Sequence, residues 1–366
     1  LHSFPTRRSS DLHIGDFVFT ASYLTRYGVA GPLQGFDQNK YYPLYDMLKN
    51  ITGSEDQKYK VPLSETDWVN VLPVNKVSIP VNVEEVRKTM SFNPGDSIVS
   101  ELKLDIKKGV LQKNDLAVLS LIAANLWKRP IYFTSTQELE ELGLEKYVRL
   151  EGLSYRLVPV EQSNVELNLA FKNIMEKFAY GNANKQGVYY DEENRRHINT
   201  IRQSHAFLAM GLVDVNKKDS AVKVLKKYDD NVLDANAPYG MTSNRGNLHN
   251  RVSATFLYAA YRSGDMNLAK KVNQSLKQDL DQQIRYYQSL GEAPLTNEQL
   301  YMAAASYLNQ RPGALSSRQE TFANDIVSAY QMSQQLAEWQ KQFNPTATNP
   351  VETAPSTLPA PDSSNK

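Results

Sequence analysis

Tyr23, Tyr27, Tyr41, Tyr42 and Tyr45 crowd the early part of the chain and carry its most pointed chemistry. A tyrosine ring has an apolar face and a polar edge. That suits sugar rings and membrane–water interfaces, and equally the packing of a core. The other reactive residue types are poorly arranged. With no cysteine, thiol nucleophiles, disulfides and cysteine-held zinc drop out together. Beyond position 12 the histidines are His13, His197, His205 and His249. His197 and His205 stand eight positions apart, two helical turns or roughly 12 Å, too far for one metal ion with bonds of about 2 Å. Asp191-Glu192-Glu193 precedes a helical stretch, where acidic side chains complement the helix dipole. Spacing assigns no partner to Glu65, Asp67, Glu138, Glu140, Glu141 or Glu151. Gly28-x-x-Gly31-x-x-x-Gly35 lacks the Lys-Ser/Thr of a phosphate loop and the spacing of a dinucleotide fingerprint, so it reads as a turn. No Gly-x-Ser-x-Gly nucleophile elbow occurs. The sequence thus assigns no catalytic, cofactor-binding or metal-ligating residue. The five tyrosines remain as candidate sugar-facing or interface aromatics.

The elements that would position them fall into two kinds. A short helix is expected at 43–50, where Leu44, Met47 and Leu48 share a face. Alternation predicts a strand through Val77, Ile79 and Val81, with Pro80 placing it at an edge, and another through Leu102, Leu104 and Ile106. A helix at 83–90 is followed by an Asn93-Pro94-Gly95 turn. Asn114 is the expected cap of a helix to 127 that is apolar nearly all round and should be buried against a sheet. Pro130 opens a strand, Ser135-x-x-Glu138 reads as a capping box for a short helix ended by Gly143, and 147–160 reads as a strand or hairpin kinked at Gly152. From 165 onward long helical stripes dominate, such as Ile198, Ile201, His205, Leu208, Ala209 and Leu212. Ala221 and Ala269 open second helices of two helix–turn–helix units that resemble tetratricopeptide repeats, though 48 positions separate them against the usual 34 or so. A further helix pair is expected at 297–309 and 318–343. The last stretch, with Pro345, Pro350, Pro355, Pro359 and Pro361 among Ser, Thr and Ala, reads as disordered.

The predicted fold class is therefore α+β: a mixed α/β unit over 13–160, an all-helical, tetratricopeptide-like unit of helical hairpins over 165–343, and a disordered tail over 344–366. The 366 residues suffice for two domains. Lys and Arg number 41 against 40 Asp and Glu, which gives no electrostatic case for nucleic acid as a partner. No apolar run reaches the roughly 18 residues of a membrane span. Residues 1–12, LHSFPTRRSSDL, resemble the translation of a sequencing adapter, so the natural protein is expected to enter near His13 and to extend upstream.

Four segments carry a wider resemblance: YGVAGPLQGFD from Tyr27, YDMLKN from Tyr45, NLWKRPIYF from Asn125 and EGLSYRLVP from Glu151. Together they resemble the C-terminal part of a bacterial family of large multi-spanning membrane proteins, a domain of unknown function similar to transmembrane protein O-mannosyltransferases. The resemblance runs over roughly 13–343. It implies an upstream block of membrane helices, a polyprenyl-phosphate sugar donor used by the parent, and a catalytic carboxylate in an early loop that nothing here matches. The implied role is that of a soluble extracytoplasmic (periplasmic) portion of a membrane glycosyltransferase that binds or scaffolds a protein or glycan acceptor. Its partners would be its own upstream membrane domain and that acceptor, with no cofactor in this fragment. The alternative is a stand-alone periplasmic helical-repeat interaction module with no enzymatic parent.

Overall fold

The computed structural model describes residues 17–161, 165–242, 246–311 and 314–344. The expected adapter segment and the proline-rich tail beyond Asn344 lie outside the described residues. The chain divides between Ala179 and Tyr180 into two compact units. The first is mixed α/β and the second helical, as the stripes predicted.

In the first unit, β1 (Phe17–Thr20) runs directly into α1 (Ala21–Arg26). Then come β2 (Tyr42–Pro43) and α2 (Leu44–Asp46), which continues as a π-helical turn over Met47–Thr52. Leu44, Met47 and Leu48 are buried on one face, as their spacing required. Next come β3 (Lys60–Pro62), β4 (Trp68–Leu72), β5 (Lys76–Pro80), α3 (Val83–Thr89), β6 (Glu101–Asp105), β7 (Val110–Gln112) and α4 (Lys113–Asn125). The unit closes with β8 (Tyr132–Phe133), β9 (Val148–Leu150), β10 (Tyr155–Leu157) and α5 (Leu167–Lys172).

These strands form three small sheets, ordered β3-β4-β1-β7, β2-β5-β6 and β8-β10-β9. β5 is therefore the centre of its sheet and not the edge that Pro80 suggested. The proline is tolerated because it ends the strand, opposite Glu101 and beyond the reach of the two-residue β2. Pairing sets Phe19 opposite both Val71 and Val110, and Phe17 opposite Gln112. Alternation then turns Val18, Leu72 and Leu111 into the main core, with Leu102, Leu104, Leu119 and Ile122. Phe19, Val69 and Val71 face the other way, into a smaller core closed by Leu24 of α1.

Two local expectations are corrected. α4 is capped by Gln112 in a reciprocal box with Asp115, not by Asn114, and Leu121 is 56% exposed, so the helix buries one face only. The Ser135–Glu138 box forms no helix. Residues 136–144 instead make successive turns, because the Glu141 carbonyl accepts from the Lys107 and Lys108 amides and cannot serve a helical bond. Gly143 in this stretch has φ +72°, and a Cβ there would lie 2.6 Å from the Asp105 backbone nitrogen.

The second unit contains α6 (Glu192–Asp214), α7 (Lys218–Asn231), α8 (Leu248–Ser263), α9 (Met266–Ser289), α10 (Asn297–Leu308), α11 (Ser317–Glu320) and α12 (Ala323–Phe343). α6 packs on α7 and α8, α8 on α9, and α12 on α9 and α10. Ala221 and Ala269, at the starts of α7 and α9, are fully buried where the paired helices approach. Asp191 caps α6 by accepting from the Asn194 amide, which holds its carboxyl below the usual carboxylate range. The division into units comes later than the expected 160–165. The Glu166 side chain caps α5 and also accepts from Ser91, so α5 belongs to the first unit.

Candidate functional site

The structure separates the five tyrosines. Tyr23, on α1, stacks on Phe19 of β1 with ring centroids 4.2 Å apart, and Tyr27 follows at 4.5 Å from Tyr23. Phe17 extends the series at 5.5 Å from Phe19. The outcome is a ladder of four rings over the smaller core, ending at Tyr27, which is 61% exposed. A short helix that folds back on its own strand produces it, because i, i+4 side chains share one helix face. Tyr41 lies apart from the ladder. Its hydroxyl donates to both Asp105 carboxylate oxygens at 3.0 and 3.1 Å, and Lys76 and Lys103 approach its ring. Burial and that carboxylate push its pKa up. Tyr42 packs edge-on against Phe36 at the margin of the main core, and its hydroxyl oxygen accepts from the Asp37 amide. Tyr45 is exposed beside Lys49. Among the described residues no ring contact joins Tyr23 or Tyr27 to the other three.

Phe17 belongs both to the ladder and to an open groove of about 510 Å³ lined with Val110, Gln112, Lys113 and Asn114. Register explains this, since Gln112 sits opposite Phe17 across β1 and β7. The groove sets an aromatic ring beside two neutral amides and one ammonium, groups that pack against and hydrogen-bond a polyhydroxylated ligand. Sequence reasoning missed the groove, because Gln112 and Asn114 lie more than ninety positions from Phe17.

A second missed cluster is buried at the β8-β10-β9 sheet. Arg149 Nη1 donates to Asp96 Oδ2 at 3.0 Å and its Nη2 to the Ser91 carbonyl at 2.5 Å. Glu151 Oε1 lies 3.8 Å from Arg149 and 3.7 Å from Arg156, while Glu151 Oε2 accepts from the Tyr132 hydroxyl at 2.8 Å. Arg156 Nη2 donates to the Thr89 carbonyl at 2.6 Å. Burial lowers the Arg149 pKa, and burial together with the Glu151 bond raises that of Tyr132, which stays a neutral donor. This arrangement is a strut. It ties the α3–β6 connection to the hairpin through charges that offset one another, although Glu151 Oε1, near both guanidinium groups, and the Nε atoms of Arg149 and Arg156 have no hydrogen-bond partner among the described residues.

The segments 125–133 and 151–159 thus meet in one sheet: Tyr155 and Arg156 pair with Phe133 and Tyr132. The family model described as TMEM260-associated domain 2 matches residues 15–225. The chain belongs to that family. The TMEM260-associated domain 2 span takes in the ring ladder, the groove, the buried strut and the helices through most of α7. No curated protein matches the chain, and no solved structure does. Among the described residues no helix is long and apolar enough to cross a membrane.

The histidines of the second unit do not converge. His197 is exposed beside Glu193, whereas His205 and His249 are buried. His205 Nδ1 donates to the Ile201 carbonyl at 2.8 Å and its Nε2 accepts from Tyr180 at 2.9 Å. His249 Nε2 lies 2.9 Å from Arg202 Nη1 and 2.7 Å from the Pro238 carbonyl. The guanidinium can only donate and the carbonyl can only accept, so the one Nε2 serves a single one of them at a time, and burial keeps the ring neutral. Fully buried Arg202 also donates to Tyr228, Ser253 and the Ala237 and Pro238 carbonyls, and among the described residues no carboxylate pairs with it. Its five N–H groups pin the 232–241 connection to the helices. Burial depresses both histidines to about 4.

Proposed function

We propose that this chain is the extracytoplasmic, acceptor-engaging portion of a membrane glycosyltransferase of the protein O-mannosyltransferase-like kind, and that it does not carry out the transfer itself. The observation that carries the reading is the continuity of the Phe17–Phe19–Tyr23–Tyr27 ladder with the amide-edged groove at Gln112 and Asn114, inside the span matched by TMEM260-associated domain 2. An aromatic face beside two amides and the Lys113 ammonium offers a sugar ring a stacking surface and hydrogen-bond partners. Transfer from a lipid-linked donor further requires a base for the acceptor and a site at the bilayer surface for the departing phosphate. The buried carboxylates of this unit are committed elsewhere: Glu151 to the strut, Glu166 to a helix cap, and Asp115 to the α4 capping box and Lys108.

Titration of the full chain with manno-oligosaccharides and a mannosylated peptide, followed by NMR, tests the reading. Saturable shifts at Phe17, Tyr23 and Gln112, lost in Phe17→Ala and Gln112→Ala, are expected, with no sugar transfer from a polyprenyl-phosphate donor. Absence of binding by both ligands would overturn it, as would membrane-free turnover lost on mutating a carboxylate of the chain. Sequence of the gene upstream of the His13 codon supplies the other arm: membrane-helix codons are expected, and a signal peptide leading straight into His13 would favour the stand-alone module.

A further inference from the structure

On α12, Ser328, Gln331, Gln334, Gln335 and Glu338 recur at i, i+3, i+4 and i+7 spacings and so share one face. That face forms part of the lining of an open groove of about 600 Å³, completed by Arg251 of α8, Met332, Tyr330 and Tyr301 of α10. Tyr301 and Tyr330 stack on one another at 4.5 Å and 17°, so each covers a face of the other. At one end Arg251 donates weakly to Ser328 at 3.4 Å, and at the other stands Glu338. Neither charge is ion-paired among the described residues. Ser328 and Glu338 are ten positions apart, about 15 Å along the helix.

We propose that this groove binds an extended polypeptide segment of about five residues, polar in its middle, acidic at the Arg251 end and basic at the Glu338 end. Three features select that occupant. The opposed charges favour a ligand carrying a carboxylate and an ammonium some 15 Å apart, a span that about five extended residues cover. The amides of Gln331, Gln334 and Gln335 fall within about one helical turn, roughly 6 Å, close to the roughly 6.6 Å between alternate residues of an extended chain, so they can meet backbone donors and acceptors of neighbouring alternate residues. The tyrosines close a wall with their shared faces hidden, which leaves edges and hydroxyls for a peptide and less open face for a sugar ring. A nucleic-acid strand would meet repulsion at Glu338. The inference concerns the helical unit alone and stands whether or not the sugar-facing reading of the first unit holds.

Fluorescence anisotropy on the full chain tests it with three labelled six-residue peptides, each having four Ser, Ala and Pro residues between terminal Asp/Lys, Asp/Asp or Lys/Lys. At low ionic strength the Asp/Lys peptide is expected to bind about three- to tenfold tighter than the other two, the scale of two exposed charge pairs. Arg251→Glu should move the preference to the Lys/Lys peptide and Glu338→Lys to the Asp/Asp peptide. Both positions are exposed, and a switch of preference, unlike simple loss, cannot come from misfolding. Equal binding of all three peptides, or preferences that ignore the charge reversals, would overturn the proposal. So would no binding at about 1 mM peptide, a weakness that leaves only about 4 kcal/mol. Displacement of bound peptide by a neutral hexasaccharide would reassign the groove to glycan and equally overturn it.

Discussion

Arg149 shows how much of this molecule depends on single charged side chains. In Val148-Arg149-Leu150 nothing in the spacing marks the arginine as interior; it is buried because β10 pairs with β9 on one edge while Leu150 bridges to Val165 and the 91–96 turn folds over it. Removing one member of such a set leaves the others charged and dry. Arg149→Met, which strands Asp96 and Glu151, should cost about 3–5 kcal/mol in urea unfolding, whereas Tyr132→Phe, which deletes one bond to Glu151, should cost about 1–2 kcal/mol. Equal losses would show that the strut is not ionic. Gly143 makes a similar contrast. Its φ is +72° and a Cβ would strike Asp105, while Gly187, at φ +73°, has open space around it. Gly187→Ala should cost the left-handed penalty of about 1–2 kcal/mol, and Gly143→Ala clearly more, as read from the two urea midpoints. The candidate site was legible only in part. Tyr23 and Tyr27 stand out by residue type, but the short helix that aligns them is not read from the sequence, and Phe17 and Gln112 are joined by strand register, which no local pattern carries.

Elements were legible where one face alone is buried. β6 alternates in the structure as it does in the sequence, and the α6 stripe is buried throughout. The pattern misled where apolar residues fall on both faces. In α4, Leu116, Leu119, Ile122 and Ala123 are buried while Leu121 looks outward, so composition overstated how much of the helix the sheets cover. Leu119→Ala should therefore cost about 2–5 kcal/mol and Leu121→Ala no more than about 0.5 kcal/mol, and thermal melts of the two variants separate the alternatives. The capping box at Ser135 fails for a different reason. Ser135 keeps its short-range bond to the Gln137 amide, but the downstream carbonyl at Glu141 is drawn to the end of β6, and a tertiary bond wins over a local one.

At the scale of the whole molecule, the change from strands to helices was legible in hydrophobic period, but the point of division was not, because α5 reads as the first helix of the second unit until Glu166 is seen to accept from Ser91. The helical unit also has an interior that acid should attack. His205 and His249 are both held near 4 against an unfolded value of about 6.5. Their folded pKa values are depressed, so below about pH 6.5 the unfolded chain takes up protons that the native chain refuses. The stability they contribute is complete above pH 6.5 and erodes as pH falls towards 4. A depression of this size corresponds to about 3 kcal/mol for each ring, as an order of magnitude. For His249 burial is the main cause, and a second is visible in the geometry: a second proton on the ring would set an imidazolium 2.9 Å from the Arg202 guanidinium, with no carboxylate paired to that guanidinium among the described residues. Urea unfolding followed by circular dichroism at 222 nm, which weights α6–α12, should show the helical transition weakening between pH 7 and 4.5. His205→Gln with His249→Gln, whose amide oxygen can still accept from Arg202, should flatten that slope even if it lowers stability at pH 7. A slope that survives the double substitution would place the acid sensitivity in the carboxylates instead.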